Sequence, residues 1–514
     1  MEQWRKSDLP RYSADAVTRE LVGHVYRRMD FTVALTRMLV TERFRAHGQP
    51  QGIDLVAVVR HARRAGRLFL LRDAMLLICF AAFTAGVIAG LAALVAQDAA
   101  RLIRCLCLIL GAVGTGAVLV FVWTWIMWRI AQAVQWGEAP PRDRAPAVGA
   151  ELERELDALD DANVIVYTAK GPDGDQPFLG SGIGVLETVW AGIDVSRPAE
   201  DAGGGKHPVE TFTAQELHAH VAEHVGDLAG IDGLRIGNRL YIQGHHARDL
   251  GEELLPDPLK RPATRIAPKL VEAGVTETDD VMRTYLTLEL VGARGSYVVT
   301  VHVRARLARS RLSWEISASY LPPVYAHLSD AYTRPLGFGK HALTVLRVTR
   351  EQVRDQLFGS ARRMLRRPAR RLADTVRLLW RRNRISRPRS YFDYGAGGTL
   401  RAVVSDTDRQ GDYTQRMDAR DAIQRIQQAV LRATEQFLAA HHIDTSDLRQ
   451  AHKTINNQTY NFNGPINGQN VFGDHGIILA AGLHRGPGPH PGAGKGTTDS
   501  GRPAPSTPSG SAAK

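Results

Sequence analysis

A chain of 514 residues with 44% apolar content is long enough for two or more folded units. Its three cysteines, Cys79, Cys105 and Cys107, fall in apolar stretches without Cys-x-x-Cys spacing, which excludes a disulfide scaffold and a cysteine zinc site from the polar regions. The net charge of +12 is local: residues 340–390 hold Lys340 and fifteen Arg against Glu351, Asp355 and Asp374, so the high pI belongs to one segment rather than to a basic protein.

From the N-terminus, ADAVTRELVGHVYRRMDFTVALTRMLV has helix-period apolar positions and no internal Pro or Gly run, which predicts a cytoplasmic helical segment over residues 1–73. Residues 74–96 and 105–128 then run without a charge, each longer than the roughly 20 residues that cross a bilayer core as a helix. Together they read as a transmembrane hairpin, 74–128. More than seventy residues precede the first span, which argues against a cleaved signal peptide. Arg60, Arg63, Arg64, Arg67 and Arg72 flank its entrance, Arg129, Arg142 and Arg144 follow its exit, and the loop between has Arg101 and Arg104 beside Asp98. Positive-inside asymmetry therefore predicts a two-span plasma-membrane protein with both termini in the cytoplasm. Neither span contains an ionisable residue, which argues against a transporter or proton path. Gly86-Val-Ile-Ala-Gly90 and the row Gly111, Gly114, Gly116 are either filler or a close-packing face for a homodimer.

GEAPPRDRAPAVG, 137–149, reads as a Pro-rich linker. Residues 150–325 then carry an α+β pattern and form the main cytoplasmic domain. NVIVYTA (163–169) reads as a buried strand, and SGIGVLETVWAGIDV (181–195) as one or two more. Thr213 and Glu216 stand at capping-box spacing before a helix. RLYIQG (239–244) is a short strand, and YLTLELVG, SYVVTVHVRARL and LSWEISASYL form a three-strand meander. His220-Val-Ala-Glu223-His224 has the H-x-x-E-H spacing that lets two imidazoles on one helix face chelate zinc, with Glu223 polarising a water. Leu217, Val221, Val225 and Leu228 mark the buried stripe of that helix, so flanking histidines on an ordinary amphipathic helix are the plainer reading. Gly180-Ser-Gly182-Ile-Gly184 precedes strand-like sequence, which fits a glycine turn and not a dinucleotide loop, since that loop must open a helix. No phosphate loop or nucleophile elbow is present, and no cofactor is called for.

Residues 340–384 read as two Arg-rich amphipathic helices broken near Pro368. In the second, Leu372, Val376, Leu379 and Trp380 form one stripe, with Arg370, Arg371, Arg377, Arg381 and Arg382 on the opposite arc. This is the pattern of a helix lying on anionic lipid headgroups. Lipid is favoured over nucleic acid because a membrane anchor is already present and aromatic residues do not interleave with the basic ones. Within 391–480, a helix over 418–442 carries Ile423, Ile426, Val430, Ala433 and Phe437 at heptad-like spacing, enough for one packing partner. Residues 484–514 are rich in Gly, Pro, Ser and Thr, the composition of a disordered tail.

At NVIVYTAKGPDGDQPFLGSGIGV, RLYIQG and YFDYGAGGTLR the chain resembles a group of uncharacterised actinobacterial two-pass membrane proteins. The resemblance implies a transmembrane hairpin before a cytoplasmic domain and implies no reaction. TYNFNGPINGQNVFGDHG, 459–476, is similar to short amyloid-type signalling motifs of some bacterial immune proteins, in which Asn/Gln ladders stack in register. Its two Asn-Gly dipeptides equally suit a β-hairpin capping the main domain. The sequence thus supports a non-enzymatic, membrane-anchored binding or scaffold protein with a protein partner it does not identify. A homotypic signalling adaptor acting through 459–476 and a metal hydrolase at His220, Glu223 and His224 are the alternatives.

Overall fold

The computed structural model describes residues 15–168, 177–190, 192–200, 207–276, 281–325, 337–387, 391–406 and 412–448, and the backbone of Val471–Phe472 and Ile477–Ile478. Helix α1 (Ala16–Arg27) breaks at the extended Arg28, and α2 (Met29–Thr36) runs on as a π-helical turn to Thr41. Helix α3 (Leu55–Val95) starts where Asp54 accepts from the Ala57 N–H, and α4 (Ala99–Trp136) where Asp98 accepts from the Arg101 N–H. Each cap satisfies one orphan donor at a helix start.

These two helices are long and apolar enough to cross a membrane, and 22% and 17% of their most apolar windows are buried in protein. Ile78, Ile88, Leu91, Ile103 and Leu110 all point outward. In water each such side chain would forgo about 1.5–3 kcal/mol of burial, so the surface is built for an apolar surrounding. Close packing holds the hairpin together: a Cβ on Gly86 would lie 2.9 Å from Ile109, and one on Gly90 3.5 Å from Cys105. Gly116 instead faces Leu357, while Gly111 and Gly114 have no neighbour within 4 Å. The Gly86–Gly90 face is thus used within one chain, whereas Gly111 and Gly114 are open.

The segment 137–149 is tied down, unlike a free linker. Arg142 bonds Asp54 and Asp157, and Arg60, Arg63 and Arg64 donate to the carbonyls of Arg142, Val148 and Arg144. The arginines before the first span therefore clamp the chain that leaves the second. Helix α5 (Ala150–Asp157) follows.

The main domain is a mixed seven-stranded sheet in the order β1-β4-β5-β6-β7-β2, with β3 also on β7. Its strands are β1 (Val164–Tyr167), β2 (Ile183–Val189), β3 (Ile193–Asp194), β4 (Arg235–Gln243), β5 (Met282–Gly292), β6 (Tyr297–Ala308) and β7 (Arg311–Leu321). β1 is parallel to β4, and the other pairs are antiparallel. The predicted meander is β5–β6–β7, and its alternation explains the layers. Leu286, Leu288, Val299, Val301, Val303, Trp314, Ile316 and Ala318 share one face and are buried under helices. Helix α6 (Ala214–Ala229) opens on the Thr213–Glu216 capping box and closes at Gly230, φ +58°. The short helices α7 (Gly251–Leu254) and α8 (Pro268–Thr276) follow, with α8 pressed on Leu240 and Thr284 at Gly274.

Helix α9 (Phe338–Ile385) is a single 48-residue helix with Pro368 inside it, not the broken pair that proline suggests. Proline removes one backbone bond and crowds the carbonyl four residues back. Here both halves are anchored: Leu357 packs with Leu76, Cys79 and Val120, and Arg381 pairs with Glu42 at 2.6 Å. Helix α10 (Leu400–Val404) is capped by Thr399, and α11 (Tyr413–Ala440) is longer than predicted. Its stripe Ile423, Ile426, Val430, Ala433 and Phe437 is buried with α6 and the sheet, so the partner of the heptad-like seam lies in the same chain. Between α9 and α10, Ala396 bonds Val166 and Thr168, which closes the β1 edge of the sheet. Strands β8 (Val471–Phe472) and β9 (Ile477–Ile478) pair antiparallel; the rest of 459–476 lies outside the described residues.

Candidate functional site

The second face of the sheet repeats polar and aromatic residues at every other position: Tyr285, Thr287 and Glu289 on β5, Thr300, His302, Arg304 and Arg306 on β6, Glu315 and Ser317 on β7. A polar strand face ordinarily meets water. Here Thr287, Glu289, Thr300, His302 and Arg304 are each 3% exposed or less. The turn before β2 covers His302 among them. Gly180 and Gly182 adopt φ of +75° and +96°, and a Cβ would collide with Thr399 at the first and with the Tyr320 carbonyl at the second. The turn that glycine permits lays Phe178 flat on His302, with ring centroids 3.9 Å apart and planes at 17°. Tyr241 and Tyr285 meet the same phenyl edge-on at 5.4 and 5.0 Å.

The sheet also divides beside this cluster. Strands β5 and β6 pair from Leu286↔Val303 to Gly292↔Tyr297, whereas Met282–Tyr285 pair with β4 and Arg304–Ala308 with β7. On the helix-covered side, His218 fills the division: its Nε2 accepts the Ala305 N–H at 2.8 Å and its ring stacks on Trp314. On the other side a cavity of about 1030 Å³ opens, walled by Tyr167, Phe178, Tyr241 and Tyr285 and by Arg283, Arg306, Glu187, Glu315 and Ser317.

The electrostatics of the cavity are balanced, with two guanidinium and two carboxylate groups on its wall. Tyr285 donates to Glu315 across β6 at 2.8 Å, and Tyr241 shares a 3.2 Å hydrogen bond with Thr287. Burial, followed by the Glu315 charge, pushes the Tyr285 phenol up, and burial pushes Tyr241 up, so both stay neutral. His302 is held far below the ordinary imidazole range by burial, with the nearby Arg239 adding to the effect. It stays uncharged beneath Phe178. The arrangement offers stacking surfaces, two cations and two anions around a space large enough for a small molecule.

The residues singled out from sequence fall elsewhere. His220 and His224 stack at 4.1 Å, and His224 donates Nδ1–H to its own helix at the His220 carbonyl. Glu223 is exposed, and among the described residues no cluster of three His, Cys, Asp or Glu could hold a metal. On α9, Leu372, Val376, Leu379 and Trp380 are all more than half exposed, an apolar stripe that the described residues leave uncovered. Arg370, Arg371 and Arg382 are exposed as well, whereas Arg377 pairs with Asp374 and Arg381 with Glu42. The cavity residues were not singled out from sequence. The signal that could have found them is the period-two recurrence of Tyr, His, Arg and Glu on strands whose other face is largely apolar.

The family model of the AbeC-like domain matches residues 189–474, more than half of the chain. No curated protein and no solved structure matches.

Proposed function

The chain belongs to the AbeC-like domain family, and we propose that it is a membrane-anchored, non-enzymatic binding protein whose sheet-face cavity takes a small polar ligand bearing a flat ring. The observation that carries this reading is the cavity of about 1030 Å³, walled by four aromatic rings and two oppositely charged pairs over a divided sheet. The rings supply stacking area, and the Arg and Glu side chains fix orientation by charge-assisted hydrogen bonds. The two apolar helices supply the anchor. The uncovered stripe Leu372, Val376, Leu379 and Trp380, with Arg370, Arg371 and Arg382, supports a second contact with anionic lipid along α9. The pairing of Val471–Phe472 with Ile477–Ile478 in one chain supports a hairpin near the C-terminus rather than an intermolecular contact.

Val189 tests the cavity. It lies at its rim on β2 and is 59% exposed, so a Trp there adds bulk to the mouth with little effect on packing. Native mass spectrometry of the full chain, purified in detergent from its own membranes, is expected to show a small-molecule adduct. Val189→Trp is expected to weaken that adduct at least tenfold at an unchanged melting temperature. A wild-type chain without an adduct, or a variant that keeps it, would overturn the proposal.

A further inference from the structure

A second, smaller cavity of about 240 Å³ lies among α1, α3, α4 and α9. It sits where the second span leaves its apolar run, beside Trp123 and Trp128. Arg27, Arg28 and Arg72 line it, and none of its lining residues is Asp or Glu. The three guanidinium groups are held in place. Arg27 donates to Gln135 at 2.6 Å and lies over the Trp128 ring, and Arg72 lies over Phe69 and donates to Asp73 at 2.8 Å. Arg28 pairs with Asp30. The indole nitrogen of Trp123 is buried and has no hydrogen-bond partner, which leaves a donor at the wall of a basic pocket. Phe69 and Met127, both nearly fully buried, form the apolar part of the lining.

From this combination we infer that the pocket is a binding site for the phosphate headgroup of an anionic phospholipid. Arg28 and Arg72 pair with carboxylates that lie outside the lining, so the wall itself presents three guanidinium groups and no carboxylate, a surface that suits a phosphate. The position at the boundary of two membrane-length helices selects a phosphate attached to the bilayer, since basic pockets between spans on the cytoplasmic side suit such headgroups. The inference rests on the reading that the hairpin is inserted in a membrane, and it is separate from the surface contact of α9.

The test uses the full chain purified in detergent and titrated by native mass spectrometry with phosphatidylglycerol, with phosphatidylcholine, and with glycerol 3-phosphate as a competitor without acyl chains. Each arginine is expected to contribute about fivefold in affinity for the anionic lipid. Wild-type protein should therefore prefer phosphatidylglycerol over phosphatidylcholine by about a hundredfold. The double substitution Arg27→Gln with Arg28→Gln should bring the two lipids within a few fold of each other. Trp123→Phe, which keeps the ring and removes the donor, should lose about threefold to fivefold for phosphatidylglycerol. Arg370→Gln with Arg371→Gln, on the exposed face of α9, should keep the preference. The site is refuted if the α9 pair loses the preference and the Arg27–Arg28 pair keeps it. Competition by glycerol 3-phosphate at lipid-like concentrations would refute the lipid assignment in favour of a soluble phosphate. Alkaline washing of membranes reports insertion separately: variants that stay inserted but lose selectivity support the pocket, and a wild-type chain that washes off would overturn the anchor and the site with it.

Discussion

Replacing Asp73 with Ala is expected to loosen the long helix α9 from the hairpin and to lower stability by about 3 kcal/mol. The Asp73 carboxylate has no solvent exposure, and three guanidinium groups converge on it. Arg72 donates to Oδ1 at 2.8 Å, Arg363 to both oxygens at 3.0 and 3.1 Å, and Arg367 to Oδ2 at 3.3 Å. Removing the single anion leaves three cations packed together without a counter-charge. Breaking a buried pair by deleting one partner costs far more than the pair contributes, because the remaining charge is left desolvated. The side chains of Arg363 and Arg367 are 28% and 22% exposed, so water relieves part of the repulsion and the effect stays at the low end of the usual range. Asp374→Ala is the control, since Asp374 is 39% exposed and pairs with Arg377 at the surface, where an ion pair contributes about 0–1 kcal/mol. Thermal unfolding in detergent reads the stability, and tryptic cleavage within α9 reads the loosening. A loss for Asp73→Ala no larger than for Asp374→Ala would sink this account of the helix contact.

Stability should also fall as the pH drops from about 6.5 toward 4, by up to about 3 kcal/mol from His218 alone. Burial is the main cause that pushes His218 down to about 4, from an ordinary value of 6.5. Its neutral form is required, because Nε2 accepts the Ala305 N–H at the division between β5 and β6. The folded state therefore binds fewer protons than the unfolded state between these two values. The stabilisation is complete above the unfolded pKa, is lost progressively as pH falls through the window, and loses nothing more below the folded pKa. His302, also held low by burial, acts in the same direction. His218→Gln keeps an acceptor and removes the titration, so the difference between the two proteins isolates this group from carboxylates that also titrate in acid. Urea unfolding of both at pH 7.5 and pH 5 should give a steeper loss for the wild type. Parallel losses would contradict the assignment.

The legible and illegible parts of the structure divide along the range of the interactions that make them. Uninterrupted apolar runs mark α3 and α4, the Thr213–Glu216 pair marks the start of α6, and strict alternation marks β5 to β7; each signal is local. The α+β class follows from those elements. The cavity is not local. It depends on Phe178 being carried over β6 by a glycine turn that nests against Thr399, more than two hundred residues away in sequence. It depends also on β5 and β6 separating where His218 intrudes from another helix. Pro368 gave a local signal that tertiary contacts override, since α9 is held on both sides of it. Arg401 shows the same limit from the opposite side. It reads as one more surface cation, yet it is wholly buried and donates to the carbonyls of Gly295, Ser296 and Pro322. Four partners, Ser405 among them, come from three separate chain segments, and no spacing in the sequence announces them.

The central claim, a hairpin in the membrane with the binding domain on the cytoplasmic side, is tested most directly by reporter fusions at residues 20, 100 and 300. The arginines that flank the hairpin, Arg60, Arg63 and Arg64 before it and Arg142 and Arg144 after it, lie on one side, where the guanidinium groups of the first three donate to the carbonyls of Arg142, Val148 and Arg144. The account predicts cytoplasmic reporter activity at 20 and 300 and external activity at 100. External activity at 20 or 300, or cytoplasmic activity at 100, would contradict it.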